Sequence, residues 1–248
     1  MPRSRDLIWD GCLNVRELGG HPTEDGGETR WGSVVRSDSV RQLTDKGWQA
    51  VVGHGVRTVV DLRTTRELEA DAPAELPVDV LHIPFIEDDE AVFAEADRAG
   101  VAASDVATAT RDVYLIFLER FKRNVAAAIR SVANAPEGGI VIHCMGGKDR
   151  AGLVAAFLLR LAGVPVAEIA ADYALSEERL RPRHEAWFAG ATDEADLARL
   201  RRMAATPAAT MVGVFEELDR RYGEVEGYLR AAGVTDQELA LARQRLRD

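Results

Sequence analysis

The sequence predicts an α/β fold in which a central, mostly parallel sheet is flanked by helices. Short apolar runs of the kind found in buried strands alternate with helical patterns along the first two thirds of the chain. The connections between these runs are long enough for the crossovers that parallel strands require. In such a fold the functional groups belong at the carboxyl ends of the strands.

Four strands and their neighbouring helices can be placed from the pattern. The strands are expected at Ser33 to Arg36, Thr58 to Val60, Val80 to Ile83 and Ile140 to Ile142. A helix over about residues 43–52 follows the first strand and ends at Gly53. Thr64, with Glu67 three residues later, forms a capping-box pattern that predicts the start of the next helix.

The second half of the chain predicts longer helices. Apolar residues that recur every three or four positions predict one long helix with a single buried face: Tyr114, Phe117, Phe121, Val125, Ile129 and Val132. Residues 152–161 are apolar almost all round, which predicts a helix at the centre of the fold. Within a single domain, 1–248, we expect a mobile, lid-like helical insertion at about 86–110 and a helical C-terminal part at about 185–248.

Composition limits the partners of the chain. The formal net charge of -10 argues against nucleic acid and anionic lipid surfaces, because both need a broad positive potential. No apolar run approaches eighteen residues, so we expect no stable membrane insertion and a cytoplasmic monomer, although specialised export leaves no signature in a sequence.

The two cysteines fit free thiols in a reducing compartment. The five histidines lack metal-binding spacing, so neither a metal nor another cofactor is expected.

The segment from His143 to Gly152, His-Cys-Met-Gly-Gly-Lys-Asp-Arg-Ala-Gly, joins a predicted buried strand to the first turn of a helix. Backbone N–H groups of a glycine-assisted loop, together with the positive end of the following helix, form a cradle for an anion such as phosphate. Arg150 can hold two phosphate oxygens with its planar fork, and the same positive field favours Cys144 as a thiolate nucleophile. A cysteine in a glycine turn is common, but its combination with an arginine six positions later is not. The expected phosphate-binding residues are Met145, Gly146, Gly147, Lys148, Ala151 and Gly152.

This loop resembles the signature of the cysteine-dependent protein tyrosine phosphatase superfamily, in which His-Cys is followed by five residues and Arg. Its Gly-Lys-Asp-Arg form is similar to the atypical bacterial branch that includes a secreted mycobacterial tyrosine and phosphoinositide phosphatase. Other segments that resemble this branch are Asn14 to Gly20, Arg36 to Asp38, Val59 to Arg63 with Glu67, and Tyr222-Gly223 with Tyr228-Leu229.

The resemblance implies a phosphomonoester hydrolase that acts on phosphotyrosine through a cysteinyl-phosphate intermediate and releases inorganic phosphate. A phosphorylated protein or a phospholipid is then the expected substrate, with phosphoserine, phosphothreonine and phosphoinositides as further candidates. Sequence alone does not separate protein from lipid substrates.

One position departs from the family pattern. The family usually carries Thr or Ser after the arginine, with a hydroxyl thought to stabilise the departing thiolate, whereas this chain has Ala151. A hydrogen bond to a charged group contributes about 1.5 to 3 kcal/mol, so its absence is expected to slow the second chemical step about tenfold or more. A phosphate-binding module with weak or lost turnover is therefore the main alternative, and a rhodanese-like sulfur-transfer enzyme is a more remote one.

The leaving phenolate needs a proton, and three carboxyl groups compete to supply it. Asp61 ends a predicted strand, Asp149 lies within the loop, and Asp88 follows a strand in a spacing that resembles the mobile acid loop of dual-specificity phosphatases. The resemblance to the bacterial branch implicates Asp149 and Asp61. The alternative role for Asp61 is an ion pair with Arg63 or a helix cap.

Three neighbouring residues have expected supporting roles. His143 is expected to shape the loop from a buried position rather than to act as a general base. Lys148 can pair with substrate phosphate or with an acidic side chain. Cys12 is expected to be an ordinary buried thiol, since nothing in the sequence places it near Cys144 for a protective disulfide.

Overall fold

The computed structural model describes residues 3–71 and 76–247 and shows the predicted α/β fold. Its strands are β1 Arg16–Glu17, β2 Val34–Ser37, β3 Val56–Asp61, β4 Asp79–His82 and β5 Gly139–His143. They form one sheet in the order β1-β2-β5-β3-β4. Strands β2, β5, β3 and β4 run parallel to one another, while β1 is antiparallel to β2. The carboxyl ends of the four parallel strands therefore meet at one edge of the sheet.

The four predicted strands are confirmed, with ends displaced by one or two residues. Strand β1 was not predicted, because two residues are too short to show an alternating pattern. Its pairing of Arg16 with Arg36 and of Glu17 with Val35 brings two of the conspicuous sequence motifs side by side.

Helices surround the sheet throughout the described residues. They are α1 Asp45–Gly53, α2 Thr65–Glu69, α3 Glu90–Ala102, α4 Val106–Arg120, α5 Lys122–Ala133, α6 Arg150–Leu161, α7 Val166–Arg179, α8 Arg181–Ala189, α9 Glu194–Ala204, α10 Ala208–Tyr222, α11 Val225–Ala231 and α12 Asp236–Leu246. None of these helices is long and apolar enough to cross a membrane.

The central strand separates two apolar clusters. Along β5, Ile140 and Ile142 belong to a large cluster with α5, α6 and α10, whereas Val141 belongs to a smaller cluster with Trp9 and α1. Both faces of the sheet are thus covered, as parallel sheets require. Helix α6 lies in the large cluster and is buried from Ala151 onward, apart from the partly buried Arg160, which confirms its predicted central position.

The predicted long helix from about 114 to 132 is wrong in one respect, because the chain leaves helical geometry at Phe121 (φ -112°, ψ 27°). Helix α4 ends before this residue and α5 begins after it. The buried Phe121 keeps the apolar spacing intact across the break, so the periodicity could not reveal it.

The acidic stretch at 86–110 includes α3 and the first turn of α4, and Val92 and Ala96 bury one face of α3. Its role as a lid stays a prediction.

Candidate active site

The loop predicted to bind phosphate, the phosphate loop (residues 144–149), joins the end of the central strand β5 to the start of α6. Cys144 lies at its base and is 1% exposed. The backbone N–H groups of residues 145–149 have no hydrogen-bond acceptor among the described residues. A run of unpaired donors at the N-terminus of a helix is suited to binding an anion.

The loop carbonyls explain this arrangement. Each of the four carbonyls from Met145 to Lys148 accepts a hydrogen bond from outside the loop. The donors are Ser39 N to Met145 O (3.1 Å), Asn14 Nδ2 to Gly146 O (2.9 Å), and Arg36 Nη2 to Gly147 O (2.7 Å) and Lys148 O (3.2 Å). A trans peptide holds its C=O and N–H on opposite sides. Anchoring these carbonyls to the scaffold therefore turns the next N–H groups away from it, toward the opening of the loop.

Gly147 is required by this close packing. Its φ of +64° lies in the left-handed region, and a Cβ atom there would come within 2.5 Å of the backbone of Ser37. A side chain at Gly152 is also disfavoured, because a Cβ atom there would lie 2.9 Å from Nη2 of Arg36. Two of the glycines expected to bind phosphate thus also allow the loop to lie against the end of β2.

Arg150 is held in a fork-to-fork ion pair with Glu67. Nη2 of Arg150 donates to Oε1 of Glu67 at 2.8 Å, and Nη1 donates to Oε2. Burial by itself would raise the pKa of Glu67, but the hydrogen bonds and charge of Arg150 hold that pKa below its ordinary value. The same carboxylate closes the predicted capping box by accepting from Thr64 N at 2.8 Å. The sequence revealed the cap but not the ion pair, which joins residues 83 positions apart.

The three candidate acids have different environments. Asp61 is 4% exposed in its side chain, lies 3.6 Å from Nε2 of His143, and pairs with Arg63 at 2.7 Å. Burial raises its pKa, but the hydrogen bonds of Arg63 and the charge of His143 outweigh burial and lower it. Asp149 is 45% exposed in its side chain, within the loop itself. Asp88 is exposed and accepts from the backbone N of Arg66 at 3.1 Å.

Two tyrosines back Asp149. The hydroxyl of Tyr114, on α4, donates to Oδ1 of Asp149 at 2.5 Å, and the hydroxyl of Tyr173, on α7, lies 3.0 Å from that of Tyr114. Burial and then the charge of Asp149 raise the pKa of Tyr114 well above its ordinary value, so the phenol stays protonated and can donate. Sequence periodicity placed Tyr114 on an apolar helix face and gave no sign of this contact.

The other loop residues that were expected to bind phosphate differ in their contacts and in their exposure to solvent. Nζ of Lys148 donates to the carbonyl of Met203 at the end of α9 and lies 3.6 Å from Oδ1 of Asp149. Met145 is exposed, whereas Ala151 is fully buried in the first turn of α6.

His143 and Cys12 lie behind the loop. Nδ1 of the buried His143 is 3.2 Å from the carbonyl of Cys144, and burial lowers the pKa of this imidazole. Cys12 is a free, partly buried thiol that donates to the carbonyl of Ser39 at 3.4 Å. Within the described residues no group of three His, Cys, Asp or Glu side chains is placed to hold a metal ion.

Replacing Gly147 should damage the loop more than replacing a glycine of similar backbone conformation elsewhere. Gly26 has φ +84°, and a Cβ atom added there would have no neighbouring atom within 4 Å. Gly26→Ala therefore costs left-handed strain alone, about 1 to 2 kcal/mol. Gly147→Ala adds a backbone collision and should cost about 1 to 3 kcal/mol more. Urea unfolding of both variants measures the difference, and equal losses would contradict the close packing described.

The sequence is similar to those of known bacterial proteins. The sequence model of the tyrosine phosphatase family matches residues 7–248. A tyrosine-protein phosphatase of Nostoc commune is 30% identical over 230 residues, covering 86% of this chain and 74% of that protein. The triple specificity protein phosphatase PtpB of Mycobacterium tuberculosis is 28% identical, covering 91% and 93%, and a putative tyrosine-protein phosphatase of Cupriavidus necator is 27% identical, covering 92% and 84%. The chain belongs to the tyrosine phosphatase family and is an enzyme of that class.

Proposed function

We propose that this phosphatase hydrolyses phosphotyrosine through a phosphate ester of Cys144. The observation that carries the proposal is the row of unpaired N–H groups at residues 145–149, which opens around Cys144 beside the paired guanidinium of Arg150. Donors fixed in advance can stabilise the charge of a transferring phosphoryl group without reorganising during the reaction.

In the first step, the thiolate of Cys144 attacks phosphorus, the S–P bond forms, and the bond to the tyrosyl oxygen breaks. Glu67 uses one N–H of each terminal nitrogen of Arg150, so Nε–H and the outer N–H groups remain for the phosphoryl oxygens. Water then attacks phosphorus in the second step, and Cys144 leaves as thiolate with release of inorganic phosphate.

We assign the proton of the leaving phenolate to Asp149. Its side chain is accessible, whereas the carboxylate of Asp61 is enclosed by Arg63 and His143. Tyr114 occupies Oδ1 of Asp149, which leaves Oδ2 to carry the proton. Asp149 then serves as base toward water in the second step, since a group that has given up its proton is ready to accept another. Asp88 remains a candidate of the same chemistry.

The substrate assigned is a phosphorylated protein, with phosphotyrosine first. The name of the mycobacterial relative, a triple specificity phosphatase, supports further phosphomonoesters as substrates of this chain. Phosphoserine, phosphothreonine and phosphoinositides are therefore included in the proposal, and a panel of phosphopeptides and inositol lipids is the direct test of their order of preference.

Cys144→Ser should reduce turnover of an aryl phosphate below about 1% of wild type, because serine is not ionised at neutral pH. Inorganic phosphate should still bind within a few-fold of wild type, measured by titration calorimetry, because the loop donors persist. Cys12→Ser, the matched control, should turn over normally. Residual hydrolysis by Cys144→Ser well above this level would contradict covalent catalysis, and a wild type that binds phosphate without hydrolysing it would be a binding module.

The effect of Asp149→Asn on catalysis should depend on how readily the leaving group departs without a proton. Loss of the general acid should lower kcat/KM, which reports the first step, by about 10²-fold or more for phenyl phosphate, and much less for nitrophenyl phosphate, because nitrophenolate leaves without a proton. Asp61→Asn and Asp88→Asn are the comparison variants and should affect both substrates alike. A selective loss in either of them instead of Asp149→Asn would reassign the acid.

A further inference from the structure

Behind the phosphate loop lies a buried charge cluster, defined here as Arg16, Arg36 and Asp172. Nε of Arg16 donates to Oδ1 of Asp172 at 2.8 Å, and Nη1 of Arg36 donates to Oδ2 at 2.8 Å. All three side chains are at most 1% exposed. The two arginines come from the sequence motifs on β1 and β2 to which the catalytic account gives no role.

The cluster carries one positive charge more than it carries negative charge. Burial would raise the pKa of Asp172, but the charges of its two arginines outweigh burial and hold that pKa well below its ordinary value. His21 lies 3.9 Å from Asp172 but adds no charge to the cluster, because burial lowers the pKa of its imidazole to about 4 and leaves it neutral at pH 7. Burial and the charge of Arg36 lower the pKa of Arg16 to about 9, so Arg16 stays protonated at pH 7.

A buried charge without a counterion is costly, and such charges normally have a partner. Nε of Arg36 is also buried and has no acceptor among the described residues. The phosphate loop adjoins the cluster, because Nη2 of Arg36 donates to the carbonyls of Gly147 and Lys148. A phosphate dianion in that loop would supply the charge that the cluster lacks.

We propose that Arg36 is a positioning residue of the reaction, which fixes the loop at Gly147 and Lys148 and places an unbalanced positive charge behind the bound phosphate. The proposal rests on the proposed function only in that the loop binds phosphate. The planar fork and the charge are separable contributions: the fork ties Asp172, through Nη1, to the two loop carbonyls, through Nη2, and so sets loop geometry, whereas the charge acts on the anion at a distance.

Two substitutions at Arg36 separate these contributions. Arg36→Met removes both and should weaken binding of inorganic phosphate about tenfold or more, with a lower kcat. Arg36→Lys keeps the charge but loses the two-nitrogen fork that ties Asp172 to the loop carbonyls, so phosphate affinity should stay within about threefold of wild type while kcat falls about tenfold. Phosphate affinity is measured by titration calorimetry, kcat with nitrophenyl phosphate, and folding by circular dichroism and thermal unfolding.

Ser176→Ala is the matched control. Its hydroxyl is fully buried and accepts from Nη2 of Arg16 at 3.1 Å, without touching Arg36 or the loop. This variant should keep phosphate affinity and kcat within about twofold of wild type.

Wild-type phosphate affinity in folded Arg36→Met would overturn the proposal, and so would an equal loss in Ser176→Ala. If Arg36→Met does not fold, Arg36→Lys decides: a wild-type kcat overturns the positioning role, and a lower kcat with retained affinity supports it. Phosphate binding can be measured without turnover. If the variants change phosphate affinity as expected but wild type hydrolyses no substrate, the proposed function is contradicted and the role of Arg36 in phosphate binding is not.

Discussion

The anchoring of the loop carbonyls from behind is the constraint on which the rest of the site depends. A six-residue loop can present its N–H groups to an anion only if its carbonyls point the other way, and buried carbonyls need donors. Ser39, Asn14 and Arg36 supply those donors from segments that lie at the carboxyl edge of the sheet or beside it. The strand order β1-β2-β5-β3-β4 places these donors around the end of β5, so the geometry of the loop depends on the topology of the sheet.

Local charge would allow a protein of net charge -10 to bind a phosphate dianion as proposed. The positive groups are concentrated around one loop: Arg150 beside it, the start of α6 beneath it, and the buried cluster behind it. Each arginine is held by a carboxylate, Glu67 or Asp172, that fixes its direction. Acidic residues elsewhere act through water over longer distances and are screened.

The architecture and the position of the glycine-rich loop between β5 and α6 could be predicted from the sequence because their signals are local. Apolar runs, the capping box at Thr64 and the glycine loop after β5 each lie within a few neighbouring residues. The break at Phe121 escaped prediction because a buried aromatic residue fits the helical spacing whether or not the backbone is helical there. Periodicity likewise assigned Tyr114 to the core, and only the folded chain brings its hydroxyl to Asp149. Such distant pairs leave no pattern in a single sequence, because their spacing is set by the fold and not by a helix or strand period.

Ala151 connects the family assignment to a direct test of the covalent mechanism. The residue is fully buried at the start of α6 and offers no hydroxyl to a departing thiolate, so breakdown of the phosphoenzyme should be slower than its formation. The most direct measurement is rapid quenching of wild type with nitrophenyl phosphate, followed by mass spectrometry. The account predicts a burst of nitrophenol and one phosphoryl group on Cys144, approaching one equivalent of enzyme. Steady turnover with no phosphorylated Cys144 at any quench time would contradict it.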